Sequence, residues 1–345
     1  MKPLIECVPN FSEGRDMAVI NQIADAIRSV GGSIRLLHID PGQAANRTVI
    51  TFVGQPGDVT EAAFRAAATA ARTIDMRRHH GTHPRIGATD VLPLIPLSGI
   101  TLEDCALLAR QLARRMADEA GIPCYCYEAA ALRPAFRNLA DCRRGEYEAL
   151  YHKLTTPGEQ PDFMPACMDS VVSGPPADIP VCIRRSGISV VGARPFLVAV
   201  NFNLDTQDVA VAKAIAADVR QKGSADRPFA LSTVKAIGWY IDEYGRAQVS
   251  TNLTDINTTP LHKAFVTISR CAETHGVHVT CTEIVGLVPK LVLTEAGTFF
   301  MQQDGNDASA ADDDTLMQQA VSHMHLDDLC PFQTEQKVLE LIAAL

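Results

Sequence analysis

The sequence predicts an α+β protein of two related subdomains, each a ferredoxin-like βαββαβ unit. Three observations carry that expectation. Apolar runs of strand length and apolar stripes of helical spacing follow one another in the order β-α-β-β-α-β. The same order returns after residue 190. Between the two series, residues 157–188 lose periodicity and become rich in Pro, Ser, Gly and Asp, as a long connection does.

The first series opens with LIECV (4–8), a short strand. Residues 15–30 carry apolar side chains at helical spacing and stop at Gly31-Gly32. SIRLLHI (33–39) and RTVITFVG (47–54) read as strands, 58–74 as an Ala-rich helix, and TDVLPLIPL (89–97) as a buried strand broken by prolines. A further helix is expected over 102–120, with Thr101 as N-cap, Asp104 three residues on, and Gly121 as the stop. PCYCYEA (123–129) adds a strand.

The second series has strands at 195–204, 234–242, 247–253 and 277–289, with a turn at Tyr244-Gly245 between the middle two. Its helices fall at 206–222 and at 259–275, the latter with Pro260 in its first turn. The expected subdomains are therefore 1–190, with 157–190 as an irregular connection, and 191–345. Residues 302–314, QQDGNDASAADDD, read as a disordered acidic loop.

Composition narrows the function classes. The chain has 345 residues, 47% of them hydrophobic, enough for a large core. A net charge of −9 argues against nucleic acid or an anionic membrane surface as partner. The acidity is uneven. Residues 1–190 hold 20 Lys and Arg against 21 Asp and Glu, whereas residues 191–345 hold 11 against 19. A cationic pocket for a small anion fits the first part. The ten cysteines form no CxxC and many lie in apolar stretches, as reduced core thiols do. With no signal-peptide pattern and no apolar run of membrane-spanning length, a cytoplasmic protein is expected.

One stretch concentrates the chemistry. RRHHGTHPRIGATDVLPLIPL, from Arg77 to Leu97, packs three histidines and three arginines into nine residues ahead of the buried strand. His79 and His83 are four apart, but Gly81 separates them and Pro84 disfavours helix at His83. No HExxH pattern is present, so no metal is expected. A loop histidine with an ordinary pKa near ~6.5 can exchange a proton at neutral pH. Arg77, Arg78 and Arg85 offer donors for carboxylates. A solvated loop would account for a lone histidine, but this density of cations, beside Gly and Pro residues that fix the backbone, favours a site.

Other polar stretches sit near strand ends. HIDPGQAANRTV offers Asp40, Asn46 and Arg47; the aspartate can orient an imidazole or form an Asx turn. VPNFSEG holds Asn10, with Ser12 as a candidate helix cap. RNLADCRRGEYE, with Arg143, Arg144 and Glu146, reads as a solvated helix end, and STNLTD, with Asn252, as a turn.

Taken together, ECVPNFSEG, NRTVITFVGQP, IDMRRHHGTHPRIGATDVLPLIPL, CRRGEYEAL, PDF, VGARPFLVAVNFNL, AQVSTNLTD and EIVGLVP occur in order from residue 6 to about 289. This ordered set resembles the glutamate formimidoyltransferase family. The resemblance implies two similar subdomains with a folate-binding cleft or tunnel between them, usually in a homodimer. It implies transfer of a formimidoyl group from N-formimidoyl-L-glutamate to tetrahydrofolate, a late step in histidine breakdown, with folate as co-substrate and no metal. The family's H-P-R-x-G histidine falls on His83, and the aspartate before its N-R-T/S motif falls on Asp40. Substrate and folate contacts are expected from Asn10, Asn46, Arg47, Arg77, Arg85, Gly192, Arg194 and Asn252. The chain also resembles the stand-alone form, without a following cyclodeaminase domain.

Three departures keep alternatives open. Thr82 stands where family members often carry an acidic residue, Ala45 where they often carry a polar residue or histidine, and the segment after Phe163 is longer than the family's folate loop. They motivate a related transferase using formyl-glutamate or formimidoylglycine. A non-catalytic folate-binding protein and a metal amidohydrolase are further alternatives, opposed by the retention of His83 and Asp40 and by the lack of a ligand set.

Overall fold

The computed structural model describes residues 2–168, 179–220 and 227–343. The chain divides between Pro195 and Phe196 into two units. The sequence places the boundary at 190/191. It falls later because the strand spanning residue 190 belongs to the first sheet.

The first unit begins with β1 (Leu4–Cys7), β2 (Asn10–Phe11), α1 (Met17–Arg28), β3 (Arg35–Gly42), β4 (Arg47–Gly54), α2 (Pro56–Thr73) and β5 (Thr89–Ser98). β1 and β2 both lie between β4 and β5, as two halves of one strand position. The spatial order β3-β4-β1/β2-β5 is the ferredoxin-like one, with antiparallel neighbours throughout. Asp16, not Ser12, caps α1 by accepting from the N–H groups of Ala18 and Val19. Ser12 is buried and donates instead to the Gly87 carbonyl at 2.7 Å.

The unit continues with α3 (Leu102–Ala120), β6 (Cys124–Glu128), α4 (Leu139–Cys142), α5 (Leu150–Thr155), α6 (Val181–Ser186) and β7 (Ser189–Ala193). Thr101 and Asp104 form a capping box at the start of α3, and Gly121 ends it in the left-handed conformation. The expected irregular connection at 157–190 is corrected here. It contains α6 and the start of β7, which lies parallel between β5 and β6. A five-residue apolar strand buried on both faces has no alternation to betray it. The remainder of that connection at 169–178 lies outside the described residues.

The two faces of this sheet differ. One is packed by α1, α2 and α3 through Ile23, Phe52, Ala66, Leu92, Leu94 and Ala109. On the other, the β5-β7-β6 half is covered by residues such as Phe136, Leu150, Leu154 and Ile183, against Val91, Val190 and Tyr125. The β1-to-β4 half carries polar side chains on that second face. Glu6, His38, Asp40 and Arg47 alternate with apolar neighbours that point to the helices.

The second unit comprises β8 (Val198–Leu204), α7 (Val209–Val219), β9 (Val234–Ile241), β10 (Arg246–Leu253), α8 (Leu261–Thr274) and β11 (Val279–Val285). Its antiparallel sheet runs β11-β8-β10-β9, again the ferredoxin-like order. Val198, Val200, Phe202 and Leu204 face a core shared with both helices, while Asn201 and Asn203 face the other way. α9 (Lys290–Gln303), α10 (Asp313–His323), α11 (Thr334–Lys337) and α12 (Leu339–Ala343) complete the chain.

The expected disordered loop at 302–314 is also corrected. Gln302 and Gln303 end α9, and Asp312 caps α10 by accepting from the Thr315 N–H at 2.8 Å. Asp313 and Asp314 occupy its first turn, where negative charge is favourable. Acidic residues read as a solvated run are here the start of a helix. Among the described residues no helix is long and apolar enough to cross a membrane.

Phe52, fully buried between β4 and the helices, tests the first core. Phe52→Ala is expected to cost about 3–5 kcal/mol, read as a lowered midpoint in urea denaturation.

Candidate active site

The loop from Arg77 to Pro84 is clamped to the turn joining β3 and β4. His79 is buried, and its Nε2 lies 2.7 Å from the Asn46 carbonyl. Asn46 answers by donating from Nδ2 to the His80 carbonyl at 2.9 Å. Asn46 holds a φ of 47°, a left-handed conformation asparagine tolerates, and its Oδ1 accepts from the Gly14 N–H at 3.0 Å. A Cβ on Gly81 would lie 2.2 Å from the Ala45 carbonyl oxygen, so this contact requires glycine. Thr82 completes the clamp by donating its N–H to the Ala44 carbonyl at 3.1 Å. His79 therefore holds the loop, while His80 is exposed.

Past the clamp, His83 turns inward. Its Nδ1 lies 2.6 Å from the Pro84 carbonyl. Its pKa is held well below the ordinary histidine value, first by burial, then by the charges of Arg47 and Arg143; Asp90 acts in the opposite direction.

Those three charges form one buried cluster. Asp90 is fully buried, and its Oδ2 accepts from both Arg47 and Arg143. Its Oδ1 accepts from the Ile86 N–H at 2.9 Å and from Arg143 Nε at 3.3 Å. Burial works against the carboxylate, but Arg143, then Arg47, hold its pKa well below the usual range. Burial likewise draws the Arg47 pKa down to about 10, with Asp90 opposing. The backbone explains the aim of this side chain. Asn10 pairs with Val91 and Phe11 with Thr89, so Asp90 is the extra residue of a bulge. Bulges re-aim a side chain that regular pairing would turn elsewhere.

Asp40 and Asn10 share a face with this cluster. Both pair with Val49 from opposite sides, so Asp40, Val49 and Asn10 form one row across the sheet. Asn10 Oδ1 accepts from Arg47 Nε at 3.0 Å and so fixes the guanidinium. Arg85 is also buried but already engaged. Its guanidinium donates to Glu146 at 2.9 Å and to Glu148 at 2.6 and 2.7 Å, tying the loop to residues 146–148. Arg77 is exposed and bidentate on Asp75, at 2.8 and 2.6 Å.

Comparison with known proteins decides the family. Residues 4–194 match the N-terminal subdomain of the formiminotransferase domain, and residues 199–344 match the formiminotransferase domain that follows it. The chain belongs to the formiminotransferase family. It is 42% identical over 99% of its length to formimidoyltransferase-cyclodeaminase from Sus scrofa, and spans 60% of that relative. It is 39% identical over 88% of its length to glutamate formimidoyltransferase from Thermoplasma acidophilum, covering 94% of that chain. With the namesake from Streptococcus pyogenes serotype M1 the values are 36%, 89% and 96%.

The remaining expected site residues of this family member are Gly192, Arg194 and Asn252. Gly192 is in β7, and the Tyr127 ring occupies the place of its missing side chain, 2.4 Å from an ideal Cβ. Arg194 hydrogen-bonds Tyr127, whose phenol is pushed up to about 12 by burial despite that cation. Asn252 is exposed on β10 of the second unit. Asp90 and Arg143 were not singled out from sequence as site residues. A carboxylate heading an otherwise apolar strand was the available signal, since a buried charge demands a partner.

Two measurements test this geometry. Asp90→Ala strands the buried guanidinium of Arg47 and the partly buried one of Arg143, and is expected to cost about 3–5 kcal/mol in urea denaturation. The pH dependence follows from His83. Its folded pKa lies below its unfolded value near ~6.5, so between the two the unfolded chain binds a proton that the folded chain does not. Stability is full above that unfolded value and falls as pH drops below it. Thermal melts are expected to show a lower midpoint at pH 5 than at pH 7, with a smaller difference in His83→Gln.

Proposed function

We propose that the chain transfers the formimidoyl group of N-formimidoyl-L-glutamate to N5 of tetrahydrofolate, giving 5-formimidoyltetrahydrofolate and L-glutamate. The observation that carries this reading is a neutral His83 set against a buried cluster of two guanidiniums and one carboxylate. A neutral imidazole can accept a proton at once, which a reaction that first releases and then consumes a proton requires.

Tetrahydrofolate supplies the nucleophilic nitrogen when bound. His83 takes the proton released at that nitrogen as its bond to the amidine carbon forms. It returns the proton to the departing amine of glutamate as the old bond breaks. Asp40 and Asp90 offset the imidazolium charge between these steps. Arg47 and Arg143 share one carboxylate, so the cluster keeps a net positive charge for the carboxylates of the ligands. Asn10 and Asn46 hold Arg47 and the loop, and Arg194 and Asn252 remain ligand contacts in this reading. Arg77 and Arg85, spent on protein carboxylates, act on the loop rather than on the ligand. The homodimer and the cytoplasmic location expected from sequence belong to the same proposal.

A second reading, transfer from another one-carbon donor, draws on one specific observation. Ala45 and Thr82, two departures from the family pattern, meet in the same backbone clamp beside His83.

Purified protein is mixed with N-formimidoyl-L-glutamate, with and without tetrahydrofolate, and glutamate release is followed. Release only with folate is expected. Release without folate would mean hydrolysis, and release only from formyl-glutamate or formimidoylglycine would establish the second reading. His83→Ala is expected to lower kcat by roughly 10²–10⁴ while leaving the urea midpoint at pH 7 nearly unchanged.

A further inference from the structure

We propose that the second unit carries a zinc-class metal site formed by Asp218, Cys271 and His275. This trio includes no residue of the His79–His83 loop and none assigned to transfer. Asp218 is in the last turn of α7. Cys271 is in the last turn of α8, and His275, one turn later, is that helix's C-cap. This four-residue spacing puts both side chains on one face of α8. One ligand atom from each of the three residues lies within 4.8 Å of the other two. Around a tetrahedral zinc, donor atoms stand roughly 3.2–3.8 Å apart, so modest side-chain rotation closes the set.

The details favour a built site over a chance cluster. His275 Nε2 is already 2.9 Å from Asp218 Oδ2. The second oxygen, Oδ1, faces Arg227 at 3.5 Å, an outer contact that steadies a ligating carboxylate. Cys271 is fully buried while Asp218 and His275 are partly exposed, so the sulfur closes the inner side and solvent takes the fourth position. One sulfur, one imidazole and one carboxylate select zinc over magnesium or calcium.

Binding involves no redox change. Zinc displaces the Cys271 thiol proton to solvent and replaces the His275–Asp218 hydrogen bond. Thiolate, neutral imidazole and carboxylate each donate one lone pair. Because the thiol must lose its proton to bind, affinity rises with pH. The bound ion would tie the end of α7 to the end of α8.

The full chain, stripped with chelator, is titrated with zinc alone against a chromophoric competitor, then with cobalt as a spectroscopic substitute. One ion per chain is expected, with a thiolate-to-cobalt charge-transfer band. Cys271→Ala is expected to abolish the band. His275→Gln and Asp218→Asn are expected to weaken zinc binding by orders of magnitude. Cys330→Ala, which alters an exposed thiol, is expected to leave both unchanged. Absence of stoichiometric binding, or a band that survives Cys271→Ala, overturns the proposal. Should Cys271→Ala fail to fold, unchanged zinc affinity in both His275→Gln and Asp218→Asn overturns it equally.

Discussion

The first unit is organised around one buried carboxylate. Asp90 draws Arg47 from β4 and Arg143 from the end of α4 to a single point, and also takes the Ile86 N–H. An isolated carboxylate at that depth would be prohibitive, so the cluster stands or falls together. Two cations against one anion leave a positive excess, which adds to burial in holding the His83 pKa down. The same interaction thus fixes where the strands, the loop and α4 meet and contributes to the protonation state of the proposed shuttle.

The loop that presents His83 depends on contacts of a different kind. His79 meets the Asn46 carbonyl and Asn46 donates to the His80 carbonyl across the β3–β4 turn, and Gly81 lets the two segments touch. Arg85 then ties the other end to Glu146 and Glu148. Histidines and arginines that look equivalent along the chain divide into clamps and chemistry. His79 and Arg85 immobilise the loop, and His83 is what the immobilised loop delivers.

Both units solve the same packing problem. Each sheet buries one face under helices with alternating apolar residues and carries polar side chains on the other, in the first unit along its β1-to-β4 half. In the first unit, Asp40, Asn10 and Arg47 occupy that polar face; in the second, Asn201, Ser250 and Glu283 share one cross-strand row. Ferredoxin-like sheets read easily from sequence because period-2 alternation on exposed faces and amphipathic helices are both local signals.

Local signals therefore account for what the sequence alone determined: the two βαββαβ series, the capping box of α3 with its glycine stop, and the loop that concentrates titratable side chains before β5. Motif order placed His83 within that loop. The tertiary structure decided the rest, because it depended on partners distant in the chain. β7 is invisible as an alternating pattern since neighbouring strands and packed side chains cover it completely. The acidic run near residue 312 became a helix start because Asp312 finds the Thr315 N–H. Arg143, read as a solvated helix end, is drawn partly inward because a bulge in β5 aims Asp90 at it from 53 positions away. The pairing of charges across such distances is set by strand register, which no single stretch of sequence encodes.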